Sequence, residues 1–267
     1  MCAWKTPTKS EVHSGAALLR VENLTVSFDG FKAVDGVNLQ IRRQELRVLI
    51  GPNGAGKSTL LDAMIGRVRA TSGKIVFKDQ DITHLAEYQI VRRGICRKFQ
   101  APGVLENLTV MENLTLAARH NREWWASFAG RPSPRVRRDA EEVLEVIGLQ
   151  EKRNAQAGHL AHGQKQWLEI GMVAASDADL LLLDEPAAGM SHGEAGQTAE
   201  LIRRLSAWHS FIVIDHDMAF VAQLDAPVTV LHQGRLLREG TLAEIRDDPQ
   251  VVAIYMGRVQ ENPHATA

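Results

Sequence analysis

Cysteine is scarce: Cys2 and Cys96 are the only two in 267 residues, and neither belongs to a C-x-x-C pair. That excludes a disulfide framework and a thiolate-clustered metal site, and it fits a reducing compartment. No run of about 18 apolar residues occurs, so nothing reads as a membrane helix, and the stretch 1–17 lacks the apolar core of a signal peptide. If the protein works at a membrane, other chains must cross it. Charge of one sign is missing too: 31 Lys and Arg face 32 Asp and Glu, a net charge of -1. Nucleic-acid binders usually carry a strong basic excess, so nucleic acid is not an expected partner. What remains, 45% hydrophobic and 24% charged residues, is ordinary globular composition at a length that fits one large domain or a domain carrying a subdomain.

Along the chain, Leu18 to Phe28 is rich in β-formers, and Val37, Leu39 and Ile41 alternate with polar residues as in a strand with one solvated face. These predict an opening antiparallel region. Leu46 to Ile50 reads as a strand that runs through a Gly-rich turn into a helix over Lys57 to Arg67, and Ser72-Gly73 opens a further hairpin-like stretch. Val136, Ala140, Val143, Leu144 and Ile147 then share one face of a helix ending at Gly148, while 120–135 is breaker-rich and reads as a loop. This predicts a helical subdomain inserted into an α/β core. The core resumes with 179–184, whose unbroken leucines suit a parallel strand buried on both faces. A helix over 192–207, strands over 211–215 and 228–231, and a last helix begun by the capping-box pair Thr241 and Glu244 complete an alternating α/β pattern.

The segment Gly51-Pro52-Asn53-Gly54-Ala55-Gly56-Lys57-Ser58, followed by Thr59, matches G-x-x-x-x-G-K-[ST] between a strand and a helix. Glycines let backbone N–H groups converge on phosphate oxygens, the helix start adds positive potential, Lys57 reaches the β- and γ-phosphates, and Ser58 ligates Mg2+. The apolar run before Asp184-Glu185 supplies what the loop lacks: Asp184 for the metal and Glu185 to polarise a water. Leu160-Ala161-His162-Gly163-Gln164 precedes a helix with Trp167, Ile170, Gly171 and Ala174 on one face, so its start is a second candidate anion site.

These motifs, in this order, resemble the nucleotide-binding subunit of ABC transporters over roughly residues 18 to 260. The resemblance implies an α/β P-loop NTPase fold of ABC type, with a mixed sheet, an N-terminal antiparallel β region and an inserted helical subdomain. It divides the chain into a disordered leader at 1–17, an ATPase domain at 18–260 and a tail at 261–267. Within the domain, 18–100 and 177–260 form the core and 101–176 the helical part. It further implies that Phe28 stacks on adenine, that Gln100 senses the γ-phosphate and Mg2+ and couples them to transmembrane partners, and that His216 hydrogen-bonds the γ-phosphate beside Glu185. Catalysis would then rest on Glu185, His216, Gln100 and Lys57, the metal on Ser58, Asp184 and Gln100, and the cofactors would be ATP and Mg2+. GICRKFQ, LAHGQKQWLEIGM, AAGMS, VTVLHQG and VVAIYMGR are most similar to ATPases of branched-chain amino-acid-type importers, and more narrowly to the urea and short-chain-amide branch. The expected function is ATP-driven urea or amide import. The alternatives are branched-chain amino-acid import or an impaired regulatory subunit.

The implied partners are a second ATPase subunit packed head to tail, two permease subunits and, indirectly, a substrate-binding protein, at the cytoplasmic face of the membrane. In such dimers each ATP lies between one chain's phosphate loop and the other's signature, here Leu160 to Gln164. Ala161 stands where the family carries serine, removing a hydroxyl bond to a charged phosphate worth about 1.5 to 3 kcal/mol. Either the composite site that holds the partner's ATP is impaired, in an asymmetric heterodimer, or the Gly163 N–H and the helix dipole suffice. Cys96 replaces the usual glycine, Asp215 stands where glutamate commonly precedes the histidine, and Trp124-Trp125 is either a partner contact or local packing.

Overall fold

The computed structural model describes residues 17–97, 103–118, 133–176 and 178–260, with side chains described as far as Tyr255 at the C-terminal end. The chain opens on two long strands, β1 (Ala17–Phe28) and β2 (Phe31–Arg42), joined by Asp29 and Gly30 at φ 48° and 88°. Two consecutive positive φ values match a tight hairpin turn to the strand twist. β3 (Leu46–Ile50) leads into α1 (Lys57–Met64), followed by the hairpin β4 (Ser72–Phe77) and β5 (Gln80–Asp81). Next come α2 (Glu87–Arg93) and the three-residue β6 (Ile95–Arg97), then α3 (Val110–Ala118), α4 (Pro134–Val146) and α5 (His162–Ala175). The second half alternates: β7 (Leu180–Asp184), α6 (His192–Leu205), β8 (Ser210–Ile214), α7 (Met218–Leu224), β9 (Val228–His232) and β10 (Arg235–Gly240), closed by α8 (Leu242–Asp247) and α9 (Pro249–Gln260).

Two sheets result. One is antiparallel in the order β2-β1-β4-β5; the other is mixed in the order β10-β9-β3-β8-β7-β6, with β10 its antiparallel edge. The mixed sheet is buried on both faces, and its register divides each apolar run between them. Leu181, Leu183, Phe211 and Val213 face the helical core, whereas Leu180, Leu182, Ile212 and Ile214 pack against the antiparallel sheet and α1. Side chains alternate along a strand, so only an unbroken apolar run serves two cores at once.

The described part of the insert is helical. Val136, Ala140, Val143 and Leu144 of α4 are buried, Ile147 follows them into the core, and Gly148 at φ 70° ends the helix. A Cβ on Gly171 would lie 2.9 Å from Ile147, which is how closely α5 approaches that end of α4. Three expectations move at their edges. α1 stops at Met64 because the chain turns at Gly66, φ 75°, against Leu85 and Ile90. α6 ends at Leu205 rather than at residue 207. The helix capped by Thr241 is the second-last, since Pro249 starts α9; proline suits a first helical turn, where no N–H is needed. Ala17, assigned above to the leader, already pairs with Arg42, while 1–16, 261–267 and Trp124-Trp125 lie outside the described residues.

Candidate functional site

The loop between β3 and α1 is fixed by β2, by β9 and by the turn that follows β9. A Cβ on Gly51 would come within 2.2 Å of the Leu231 carbonyl at the end of β9, and one on Gly56 within 2.2 Å of the Ala33 carbonyl of β2. Gly56 also sits at φ 99°, a conformation that disfavours any L side chain. The Gly234 N–H donates to the Ala55 carbonyl at 3.0 Å, and the Ala55 N–H to Pro52 at 3.1 Å. Lys57 Nζ donates to the Gly51 and Pro52 carbonyls at 2.8 and 3.0 Å, which holds the ammonium over the loop. α1 has no side-chain cap at Gly56. The first N–H groups of a helix have no i−4 carbonyl within it to bond, so this end of α1 directs backbone donors toward the loop.

Two acids at the end of β7 meet the loop and the neighbouring strand. Ser58 Oγ lies 3.4 Å from Asp184 Oδ2, and the Asp184 side chain is 5% exposed. Two hard oxygen donors at this spacing can hold a divalent cation such as Mg2+. Glu185 follows in the left-handed region at φ 47°, its N–H bonded to the Ile214 carbonyl at 2.8 Å. That turn swings its carboxylate to 3.2 Å from His216 Nδ1, both side chains being at least half exposed. A non-glycine residue held there costs about 1 to 2 kcal/mol, and such strain gathers at working sites.

Asp215 organises the far side of this pair. Its Oδ1 accepts the His216 and Asp217 N–H groups at 2.8 and 3.0 Å, and Asp217 in turn caps α7. Burial pushes the Asp215 carboxyl above the ordinary carboxylate range, against the pull of those two backbone donors. Burial likewise raises the Cys96 thiol, against the pull of Ser176 Oγ at 3.4 Å.

Other sequence-assigned residues stand apart. Phe28 is 48% exposed on the β1–β2 hairpin opposite Phe31, and β2 then runs on to Ala33 against Gly56. Gln100 lies outside the described residues. Leu160 is buried, and α5 starts on Ala161, which offers no side-chain acceptor. Gln164 Oε1 takes the Ala161 N–H at 3.2 Å, so only half of a capping box exists. His162 Nε2 is 3.3 Å from the Ala188 carbonyl, and a Cβ on Gly163 would meet Glu194 at 2.6 Å; α6 and the 185–191 turn thus brace this corner.

Sequence reasoning missed Arg97. Only 7% exposed, it bridges Asp62 of α1 and Asp184 Oδ2, the latter at 2.8 Å. The signal was present as an arginine closing a short strand just ahead of Gln100, but it carried no motif.

The ABC transporter family matches residues 34–188. The chain is 39% identical over 250 residues to the high-affinity branched-chain amino acid transport ATP-binding protein LivG of Escherichia coli K12, covering 90% of this chain and 98% of that one. It is 37% identical to the corresponding protein BraF of Pseudomonas aeruginosa, with the same coverage. Among solved structures it is similar to the ADP conformation of an ATP-binding cassette of an ABC transporter, with a TM-score of 0.79, 31% identity, and coverage of 91% of this chain and 99% of that one.

Proposed function

The chain belongs to the ABC transporter family as an ATP-hydrolysing subunit, and on that premise we propose that it powers import of branched-chain amino acids. One observation carries the cargo: relatives named for branched-chain amino acid transport match nearly their whole length. They favour this alternative over the urea and short-chain-amide reading, which none of these names supports.

ATP is held by residues 51–59, with Phe28 against the base and Lys57 on the β- and γ-phosphates. Mg2+, when bound by Ser58 and Asp184 with Gln100, supplies positive charge to the phosphate oxygens. Glu185 orients and deprotonates the attacking water, and the 3.2 Å pairing with His216 fixes the carboxylate while the imidazole faces the γ-phosphate.

Two such subunits pack head to tail, each loop closed by the other's Leu160 to Gln164 corner, and Ala161 makes the composite site it serves the weaker of two in a heterodimer. Residues 18–100 and 177–260 act as the ATP-binding core and 101–176 as the lever toward two permease subunits. No helix among the described residues is long and apolar enough to cross a membrane. The subunit works from the cytoplasmic face of the membrane, with a substrate-binding protein delivering cargo to the permeases.

The test is a complex reconstituted with permease subunits that co-purify with this chain and with a substrate-binding protein. Leucine, isoleucine or valine should stimulate ATP turnover, and Glu185→Gln should bind ATP while losing steady-state turnover by about 100-fold or more. Stimulation by urea or amides alone would reverse the cargo assignment.

A further inference from the structure

We propose that Arg97 is a positioning residue of the metal site, a bracket that sets the distance between its two halves. The inference rests on reading Ser58 and Asp184 as the metal pair. Those residues come from different elements, α1 and β7, and a cation site needs their oxygens at a fixed separation.

Ser58 and Asp62 lie four residues apart on α1, hence on one face of the helix, one turn above the other. Ser58 Oγ approaches Asp184 Oδ2 at 3.4 Å. Arg97 Nη2 donates to the same Oδ2 at 2.8 Å, and its Nη1 donates to Asp62 Oδ1. The four side chains close a ring that runs from α1 to β7, through the guanidinium, and back to α1.

The ring is built for arginine. A planar fork presents donors in fixed directions and can hold two carboxylates at once, which a single ammonium on a flexible stem cannot do with the same geometry. Burial matters as well: Arg97 is 7% exposed and Asp184 5%, so the guanidinium cannot swing into solvent without stranding a buried carboxylate. Charge is apportioned to suit a cation. One guanidinium faces two carboxylates, leaving the cluster net negative on the side where Ser58 presents its hydroxyl.

The strands fix the bracket from behind as well: Arg97 ends β6, which pairs in parallel with β7 through Arg97↔Leu182.

The experiment uses the full chain and reads metal rather than turnover. Mn2+ affinity in the presence of ATP is followed by electron paramagnetic resonance, and ATP binding is measured separately in EDTA. Arg97→Gln should loosen Mn2+ by about tenfold or more, as loss of a residue behind a metal ligand does, with ATP binding in EDTA unchanged. Arg97→Lys should fall between, and Asp62→Asn should give a smaller loss in the same direction. Unchanged Mn2+ affinity in a folded Arg97→Gln overturns the inference, and so does a parallel fall of ATP binding in EDTA. If Arg97→Gln does not fold, Asp62→Asn decides alone, because it leaves the buried pair with Asp184 intact, and unchanged Mn2+ affinity there overturns the bracket. If the parent chain retains no Mn2+ with ATP, the Ser58–Asp184 assignment fails first and takes this inference with it.

Discussion

The starts of α1 and α5 are both glycine-containing turns that deliver backbone N–H groups, yet the chain finishes them differently. At α1 the turn is clamped by Ala33, Leu231 and Gly234, and Lys57 lies on the loop's own carbonyls. At α5 the Ala161 N–H donates to Gln164 Oε1, and His162 and Gly163 lie against Ala188 and Glu194. Four other helices begin on a side chain that accepts a backbone N–H, Ser133, Ser191, Asp217 and Thr241 at the start of α4, α6, α7 and α8, while α2 begins as α5 does, on an alanine, Ala86, whose N–H is taken by Gln89 Oε1 at 3.0 Å. Both starts are held by contacts within the chain, but only at α1 do neighbouring backbone carbonyls leave no room for a side chain. The phosphate loop keeps its shape by close backbone contacts, whereas the start of α5 has no side-chain acceptor at Ala161.

The largest way to break this contrast is Gly56→Ala. The new Cβ would need the Ala33 carbonyl to retreat from 2.2 Å while the residue stays at φ 99°. Overpacking and left-handed strain together should cost about 3 kcal/mol in urea unfolding, with loss of ATP binding. Retained affinity would show that the loop is not locked by its neighbours. A smaller effect belongs to Ala161→Ser. In the isolated chain a serine closes the box with the Gln164 N–H, adding about 1 kcal/mol and raising Tm by about 2 °C. In the reconstituted complex the hydroxyl faces the partner's ATP, so turnover should rise by about tenfold if Ala161 limits it. A gain in Tm with unchanged turnover would remove the impaired-site reading and leave the cap.

The contrast also explains what the sequence made legible. Residues 51–58 could be read because their constraint is contiguous: glycines, lysine and serine act through the backbone they stand on. The apolar runs of β3, β7, β8 and β9 were legible because burial on two faces removes every polar residue. Arg97 was not, since its meaning lies in Asp62 and Asp184, 35 and 87 positions away, and in a strand too short to show a period. α2, α7 and β10 were passed over for a related reason, being short elements whose packing, not their pattern, fixes them. The left-handed turn at Glu185 left no trace either, because a non-glycine residue at φ 47° is imposed by the sheet.

Asp215 offers the finest probe of a region satisfied within the chain. Its Oδ1 serves two backbone N–H groups while Oδ2 is buried without a hydrogen-bond partner among the described residues, so the charge is held where a neutral acceptor would do. Burial raises its folded-state pKa, which means the native protein binds the proton more tightly than the unfolded chain. The native state therefore loses stability from this group as pH rises from the unfolded carboxylate value through the raised one. Asp215→Asn keeps the carbonyl-type acceptor and abolishes the titration. Its unfolding free energy relative to the parent should shift in favour of asparagine as pH climbs through that acid window, and then stay level toward neutrality. Urea melts at a series of pH values check this. A difference that does not vary with pH would mean that the charge is compensated after all, and that the His216 loop depends on something other than the backbone bonds to Oδ1.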